Sequence, residues 1–279
     1  MGWLSWPLGS YRDAKAEVLK ESNFGIMDKI NDKFELQNKH YEFPYHHIPH
    51  FDKTSDVGVR TRTLGWGLEY LCNLKHIKNL IENLSPKSVL DVGCGDGRLL
   101  GMLSEKIPRR IGIDLSERAI GFAKAFHPEI EFRVANAADL YETFDLALAM
   151  EVLEHVPDEQ ISGFLRGLFE RVNAGGHVIL SVPTMVSPVQ TKHYRHYEIA
   201  LLTSQLQEAG ITMEIGQVEY IFKQNFPLFF GIINKLTQNR WWTLEVNFFR
   251  KLLWRYIWKK HRFATEKNGR HLITVLKKC

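Results

Sequence analysis

The sequence predicts an α/β protein, a mainly parallel seven-stranded sheet with helices on both faces. Three observations predict it. Short apolar runs alternate with helical patterns beyond residue 88. The run Val89-Leu90-Asp91-Val92-Gly93-Cys94-Gly95-Asp96-Gly97 reads as a buried strand breaking into a glycine turn, with a helix to follow. A chain of 279 residues, 44% of them hydrophobic, is long enough to bury a large core.

The first 84 residues are expected to form a helical cap or lid. Tyr11 to Lys39 is charged and helical in pattern. The run from Tyr41 to His50 holds too many prolines and aromatics for a helix and reads as a flap or a packing segment. As a flap it would exclude water from a bound ligand and bring Tyr45 to the substrate. Its three histidines have no acidic partner beyond Asp52, a poor start for a metal site. From Arg62 to Leu84 the apolar residues Leu64, Leu68, Leu71, Ile77 and Leu80 recur at helical spacing.

The turn comes next. Gly93, Gly95 and Gly97 follow an acid as D-x-G-x-G-x-G, which differs from the G-x-G-x-x-G of a dinucleotide site. Nor does a Lys with Ser or Thr follow, as in a phosphate-binding P-loop. Such a turn lets a ligand lie flush on main chain. It suits a cofactor with a ribose and a charged amino acid but no phosphate. Asp91 is assigned to the ammonium group, directly or through water, and Asp114 to the ribose hydroxyls, near the spacing at which an acid grips a ribose.

Further strands are predicted near 109–114, 130–135, 144–150, 176–182, 212–220 and 271–277, and helices near 98–105, 116–126, 158–173 and 197–209. Ligands in such sheets bind beyond the carboxyl ends of the strands, where every motif used here falls.

Four motifs in order, VLDVGCGDG, IGIDLSERAIGFAKA, FDLALAMEVLEHV and GGHVILSVP, resemble the class I S-adenosylmethionine-dependent methyltransferases, in particular the ubiquinone-type O-methyltransferases. The resemblance covers about residues 80 to 220 and the last ten or so. It implies a Rossmann-like fold, S-adenosyl-L-methionine as cofactor, and a small-molecule or lipid-linked acceptor methylated on oxygen or, less favoured, nitrogen. Patterning along the chain divides it into a cap (1–84), a cofactor-binding core (85–220), an insertion (221–268) and a final core strand (269–279). The cofactor set the resemblance implies is Asp91, Gly93, Cys94, Gly95, Asp114, Leu115, Asn136, Ala137 and Met150. Asn136 stands where many relatives place an acid near adenine, so a plain capping turn is the alternative there. Cys94 reads as a space-filler.

Methyl transfer from a sulfonium needs alignment and, for a hydroxyl acceptor, a base. His155 is the first choice, with a purely backbone-bonding role as the alternative. The cluster Lys192-His193-Tyr194-Arg195-His196-Tyr197 resembles an H-x-R-H-aromatic element that lies over the acceptor pocket. On that likeness Tyr194, Arg195 and His196 position the substrate, with Tyr194 and His196 in the catalytic set; a helix start that only holds its own loop is the alternative, and Glu151, His193 and Tyr45 complete the substrate-binding set. Glu151, Glu154 and His155 form E-x-x-E-H, which resembles metal ligands of ubiquinone-pathway and small-RNA 2′-O-methyltransferases, the latter adding a histidine for which His193 and His196 are placed. The expectation is no metal. The alternatives are a metal-dependent RNA 2′-O-methyltransferase and a non-catalytic cofactor-binding partner protein.

Between Lys235 and Lys278 stand twelve Lys or Arg against two Glu. On a helix Lys251, Arg255, Lys259 and Arg262 form a stripe opposite Phe249, Leu253 and Tyr256. That is a lid with a solvated basic side, or a helix for peripheral contact with an anionic membrane through 241–262; nucleic acid is the least favoured partner. Three cysteines without C-x-x-C, no signal peptide and no membrane-length apolar run suggest the cytoplasm, with at most attachment to a membrane surface. Neither the acceptor nor an oligomeric state is specified.

Overall fold

The computed structural model describes residues 33–35, 50–51, 57–58, 64–237 and 246–279. Tyr45 and most of the Tyr11–Lys39 and Tyr41–His50 segments lie outside them. A short antiparallel pair, β1 (His50–Phe51) with β2 (Val57–Gly58), precedes the long helix α1 (Leu64–Leu84).

The core is one seven-stranded sheet in the order β5-β4-β3-β6-β7-β9-β8. Its strands are β3 (Ser88–Val92), β4 (Arg109–Asp114), β5 (Glu131–Val134), β6 (Phe144–Met150), β7 (Val172–Pro183), β8 (Met213–Lys223) and β9 (Gly269–Lys278). The first five run parallel, and β9 lies antiparallel between β7 and β8. Four of the five β3 residues and five of the seven β6 residues are buried apolar or acidic side chains, as expected of central strands covered on both faces.

Helices fill both faces. Helix α1, α2 (Arg98–Met102) and α3 (Glu117–Phe126) bury Leu71, Ile77, Leu99, Ile120 and Ala123 in one apolar cluster. The opposite cluster takes Leu165 and Leu168 from α4 (Ile161–Glu170) and Leu202 and Leu206 from α5 (Ile199–Glu208). The Ser116 hydroxyl accepts the Ala119 N–H and so caps α3. Between β8 and β9 stand α6 (Leu228–Thr237) and α7 (Asn247–Tyr256), the latter continued by a π turn, Ile257–His261. Their inner residues Phe230, Leu253, Trp254 and Ile257 join the α1 cluster.

Several boundaries differ from the sequence pattern: α2 ends at Met102, α4 starts at Ile161 and β8 runs on to Lys223. Strand β7 starts at Val172 rather than near 176, because Gly175 at φ +73° and a register shift opposite Phe144–Leu146 let the chain re-enter the sheet. Helix α4 accordingly stops at Glu170. No described helix is long and apolar enough to cross a membrane.

Sheet order reverses direction at β3, whose neighbours are β4 on one side and β6 on the other. A crevice therefore opens beyond their carboxyl ends.

Candidate functional site

A cavity of about 800 Å³ occupies that crevice, lined by the glycine turn, the ends of β4 and β6, the Lys192–His196 segment and one side of α1. Its first half is built mainly by main chain. Gly93 sits at φ +75°, and a Cβ there would lie 2.4 Å from Val152 Cγ2, so both backbone and space demand glycine. Asp114 ties the turn to the next loop: Oδ2 accepts the Gly95 N–H at 3.0 Å and Oδ1 the Ser116 N–H at 2.8 Å. Burial raises its carboxyl pKa while these donors oppose the rise. Each oxygen keeps a further lone pair for a ligand.

Leu115 faces the same cavity at 59% exposure, an apolar side chain awaiting a cover. Asn136 and Ala137 line it from the β5 end; the Asn136 side chain accepts the Ala138 N–H at 3.3 Å. Met150 and Cys94 complete this wall. Burial, then the anions Asp91, Asp114 and Asp96, drives the Cys94 thiol pKa upward, which keeps the sulfur protonated and unreactive. Asp91 differs from expectation. It is buried and absent from the cavity wall, and burial, followed by Asp114 and Asp96, pushes its carboxyl up to about 7. A direct contact from Asp91 to a ligand ammonium is not what this placement offers.

The second half is built by side chains from distant segments. At the end of β6 Glu151 adopts φ +56°, a strained conformation for a non-glycine residue. Its Oε1 accepts from Ser181 Oγ at 2.8 Å and from His271 Nδ1 at 3.0 Å. His271 Nε2 donates to Glu69 Oε1 at 3.0 Å, and Arg270 Nε reaches the same oxygen at 2.7 Å. Carboxylates only accept, so a histidine bonded to two of them is an imidazolium. Burial opposes that charge, but Glu151 and Glu69 win and lift His271 to about 10.

Glu154, His155 and His193 bring one potential ligand atom each within 4.8 Å of one another. Glu154 is buried, and its Oε2 has no hydrogen-bond partner among the described residues. Burial and neighbouring Glu151 hold its carboxyl pKa well above the usual range. His155 Nδ1 lies 3.2 Å from the Lys192 carbonyl, which makes Nδ1 the donor and Nε2 the basic nitrogen. His196 Nδ1 donates to the Ser187 carbonyl at 2.9 Å, with the Thr184 carbonyl at 3.2 Å. Its Nε2 then accepts from His193 Nδ1 at 2.8 Å, leaving the lone pair on His193 Nε2. Burial, His155 and Lys192 depress His193 to about 3, so it is neutral.

Three expected roles change on this geometry. His196 lines the cavity with both of its nitrogens engaged, which sets the orientation of His193. Arg195 is not on the cavity wall: Nε and Nη2 reach Asp158 Oδ1 at 2.9 and 2.5 Å, and Nη1 the Leu153 carbonyl at 2.9 Å. It braces the loop after β6. The cluster of possible metal ligands contains His193 in place of Glu151, which His271 draws away. Tyr194 does line the cavity, with Lys33 Nζ 3.9 Å above its ring and its buried hydroxyl without a hydrogen-bond partner among the described residues.

Sequence reasoning missed Lys33, Phe34, Glu69, Asn73, Arg270 and His271 on the wall. A signal existed for two of them. Glu69 and Asn73 interrupt the apolar stripe of α1 one turn apart, and a polar residue on a buried face needs partners. Asn73 Nδ2 finds one in Ser181 Oγ at 3.3 Å.

The family described as methyltransferase domain matches residues 68–230. A ubiquinone biosynthesis O-methyltransferase of Pseudomonas fluorescens SBW25 is 37% identical over 107 residues, 36% of this chain and 45% of that protein. A probable S-adenosylmethionine-dependent methyltransferase of Mycolicibacterium smegmatis is 26% identical over 147 residues, 49% of this chain and 56% of that one. This chain thus spans about half the length of the curated relatives it matches. Among solved structures, magnesium protoporphyrin IX methyltransferase of Synechocystis PCC 6803 with bound SAM superposes with a TM-score of 0.56 at 17% identity, over 89% of this chain and 97% of that one. The methyltransferase domain of a bacterial Hen1 gives 0.52 at 15% identity, over 75% and 98%. At such identities these structures speak for the fold.

Proposed function

The chain belongs to the methyltransferase-domain family and has the class I fold, and from that premise we propose that it moves a methyl group from S-adenosylmethionine to an oxygen of a small-molecule or lipid-linked acceptor. The observation that carries this is one cavity with a main-chain cradle at one end and a histidine cluster at the other. Gly93 and Gly95 receive the methionine chain, Asp114 the ribose hydroxyls, and Leu115, Asn136 and Ala137 the adenine. When bound, S-adenosylmethionine supplies an electrophilic methyl group. The protein's part is to hold the acceptor in line and take its proton. His155 Nε2 is the nitrogen placed to take that proton, while His193 Nε2, held neutral and oriented through His196, accepts a hydrogen bond from the acceptor. Tyr194 and Glu151 offer polar contacts to the acceptor.

Labelled S-adenosylmethionine incubated with fractionated cell extract, followed by mass identification of the labelled product, tests this. Label is expected in an oxygen-methylated small molecule or lipid, reduced at least tenfold in His155→Ala and His193→Ala. Calorimetry without heat from S-adenosylmethionine or S-adenosylhomocysteine would overturn the cofactor assignment. Donor binding without product from any extract would favour a non-catalytic partner protein.

A second reading has its own observation. The unpartnered Glu154 Oε2 beside His155 and neutral His193 suits a divalent cation of borderline hardness. His193 donates its other N–H to His196, the arrangement usual behind a ligating imidazole. A cation there would polarise an acceptor hydroxyl. Methylation of RNA ends abolished by chelation would favour this version.

A further inference from the structure

Helices α6 and α7 are buried on one side only. Phe230, Leu253 and Trp254 pack inward, and the Phe229 and Tyr256 rings meet edge-on at 5.2 Å to join the two helices. Outward, Leu228 is 90% and Ile232 59% exposed, one turn apart on α6; Phe248 is 69% and Leu252 50% exposed, one turn apart on α7. A monomer in water rarely leaves so many large apolar side chains uncovered in one region. Lys235, Arg255, Lys259 and Lys260 are exposed beside them, and no described residue from 228 to 263 is acidic.

From these observations we propose that the outer faces of α6 and α7 dock on an anionic lipid bilayer. The composition decides between occupants. Leucine, isoleucine and phenylalanine enter the acyl boundary while lysine and arginine meet lipid phosphates, which is the division of labour of an interfacial helix. RNA would use the cations and has no use for Leu228 or Ile232. The surface also communicates with the cavity through one element. Helix α1 presents Glu69, Tyr70 and Asn73 to the cavity, and packs Leu68, Leu71 and Leu74 in the cluster that holds α6 and α7. Lys75 of α1 lies 4.9 Å from the Trp258 ring. Helix α1 therefore links a bilayer-bound α6–α7 face to the acceptor half of the cavity wall. The inference deepens the lipid-linked part of the proposed function and rests on that reading for its purpose; binding to lipid stands apart from it.

The test is flotation of the full chain with vesicles of phosphatidylcholine alone or mixed with phosphatidylserine. Two variants accompany it: Arg255→Ala with Lys259→Ala and Lys260→Ala, and Leu228→Ser with Ile232→Ser, Phe248→Ser and Leu252→Ser. Circular dichroism and calorimetry with S-adenosylhomocysteine confirm that each is folded and report on the cofactor site independently. Wild type is expected to float with the anionic vesicles. Each cation removed should weaken binding about fivefold, and the serine variant should not float. No flotation of folded wild type, or flotation that both variants retain, overturns the proposal. So does conversion of a dimer to a monomer by the serine variant, or single-stranded RNA binding tighter than vesicle binding and lost in the alanine variant.

Discussion

The two halves of the cavity are made in opposite ways. The donor half is a stretch of backbone, residues 93 to 97, fixed by one carboxylate from the neighbouring strand. The acceptor half gathers Lys33, Glu69, Glu151, Glu154, His155, His193 and His271, which share a wall only because the sheet is complete. A backbone cradle is vulnerable where a Cβ would intrude. A side-chain wall is vulnerable where a charge would be left alone.

The harshest test of that contrast is Gly93→Ala. With φ at +75° and a contact of 2.4 Å waiting, it is expected to cost about 2–3 kcal/mol of stability. Donor affinity should fall on the order of 100-fold, about 3 kcal/mol. Thermal unfolding and calorimetry read both, and donor binding within a few fold of wild type would break the comparison.

His271→Ala is the counterpart on the other side. It removes the cation between Glu151 and Glu69, leaving the first with Ser181 and the second with Arg270, a loss of about 3 kcal/mol, with donor binding little changed. Its pH signature has a definite sign. His271 is lifted from 6.5 to about 10, so its stabilisation is whole below about pH 6.5 and is lost as pH rises through about 10. Melting temperature of the wild type should decline across that window, and the variant should lack that component.

Smaller effects separate bracing from binding. Arg195→Lys loses the two-nitrogen grip on Asp158 and should cost about 1 kcal/mol while leaving acceptor KM unchanged. A large rise in KM would return Arg195 to the acceptor. Glu154→Gln is the mildest. Burial and Glu151 favour the neutral carboxyl of Glu154, so an amide in its place should change stability by about 0.5 kcal/mol or less. A raised carboxyl pKa loses stability as pH climbs through it, and the glutamine variant should escape that loss. If added Mg²⁺ or Mn²⁺ stabilises wild type and not Glu154→Gln, the second reading gains.

The same contrast explains what the sequence disclosed. Glycines at alternate positions are a local requirement, since a left-handed turn excludes side chains whatever the rest of the chain does. Strand and helix patterns were equally local, and β4, β6 and α1 fall where periodicity places them. The acceptor wall obeys no local rule. Arg195 has the type and neighbours of a substrate ligand, yet Asp158 from another loop turns it away. Glu151 stands in a ligand-like motif, yet a histidine 120 residues downstream claims it. No spacing encodes that pairing, because it depends on β9 entering between β7 and β8.

That entry has a consequence for how the molecule is assembled. Strand β8 pairs with β9 and with no other described strand, so it cannot join the sheet until β9 arrives. On a nascent chain the glycine turn meets β4 within about twenty residues of synthesis, whereas Arg270 and His271 emerge after everything else described except the last eight residues. Until then β7 presents a bare edge, the kind on which misassembly begins. The donor cradle thus rests on strands made early, and the step that covers the β7 edge also brings Arg270 and His271 to the acceptor wall.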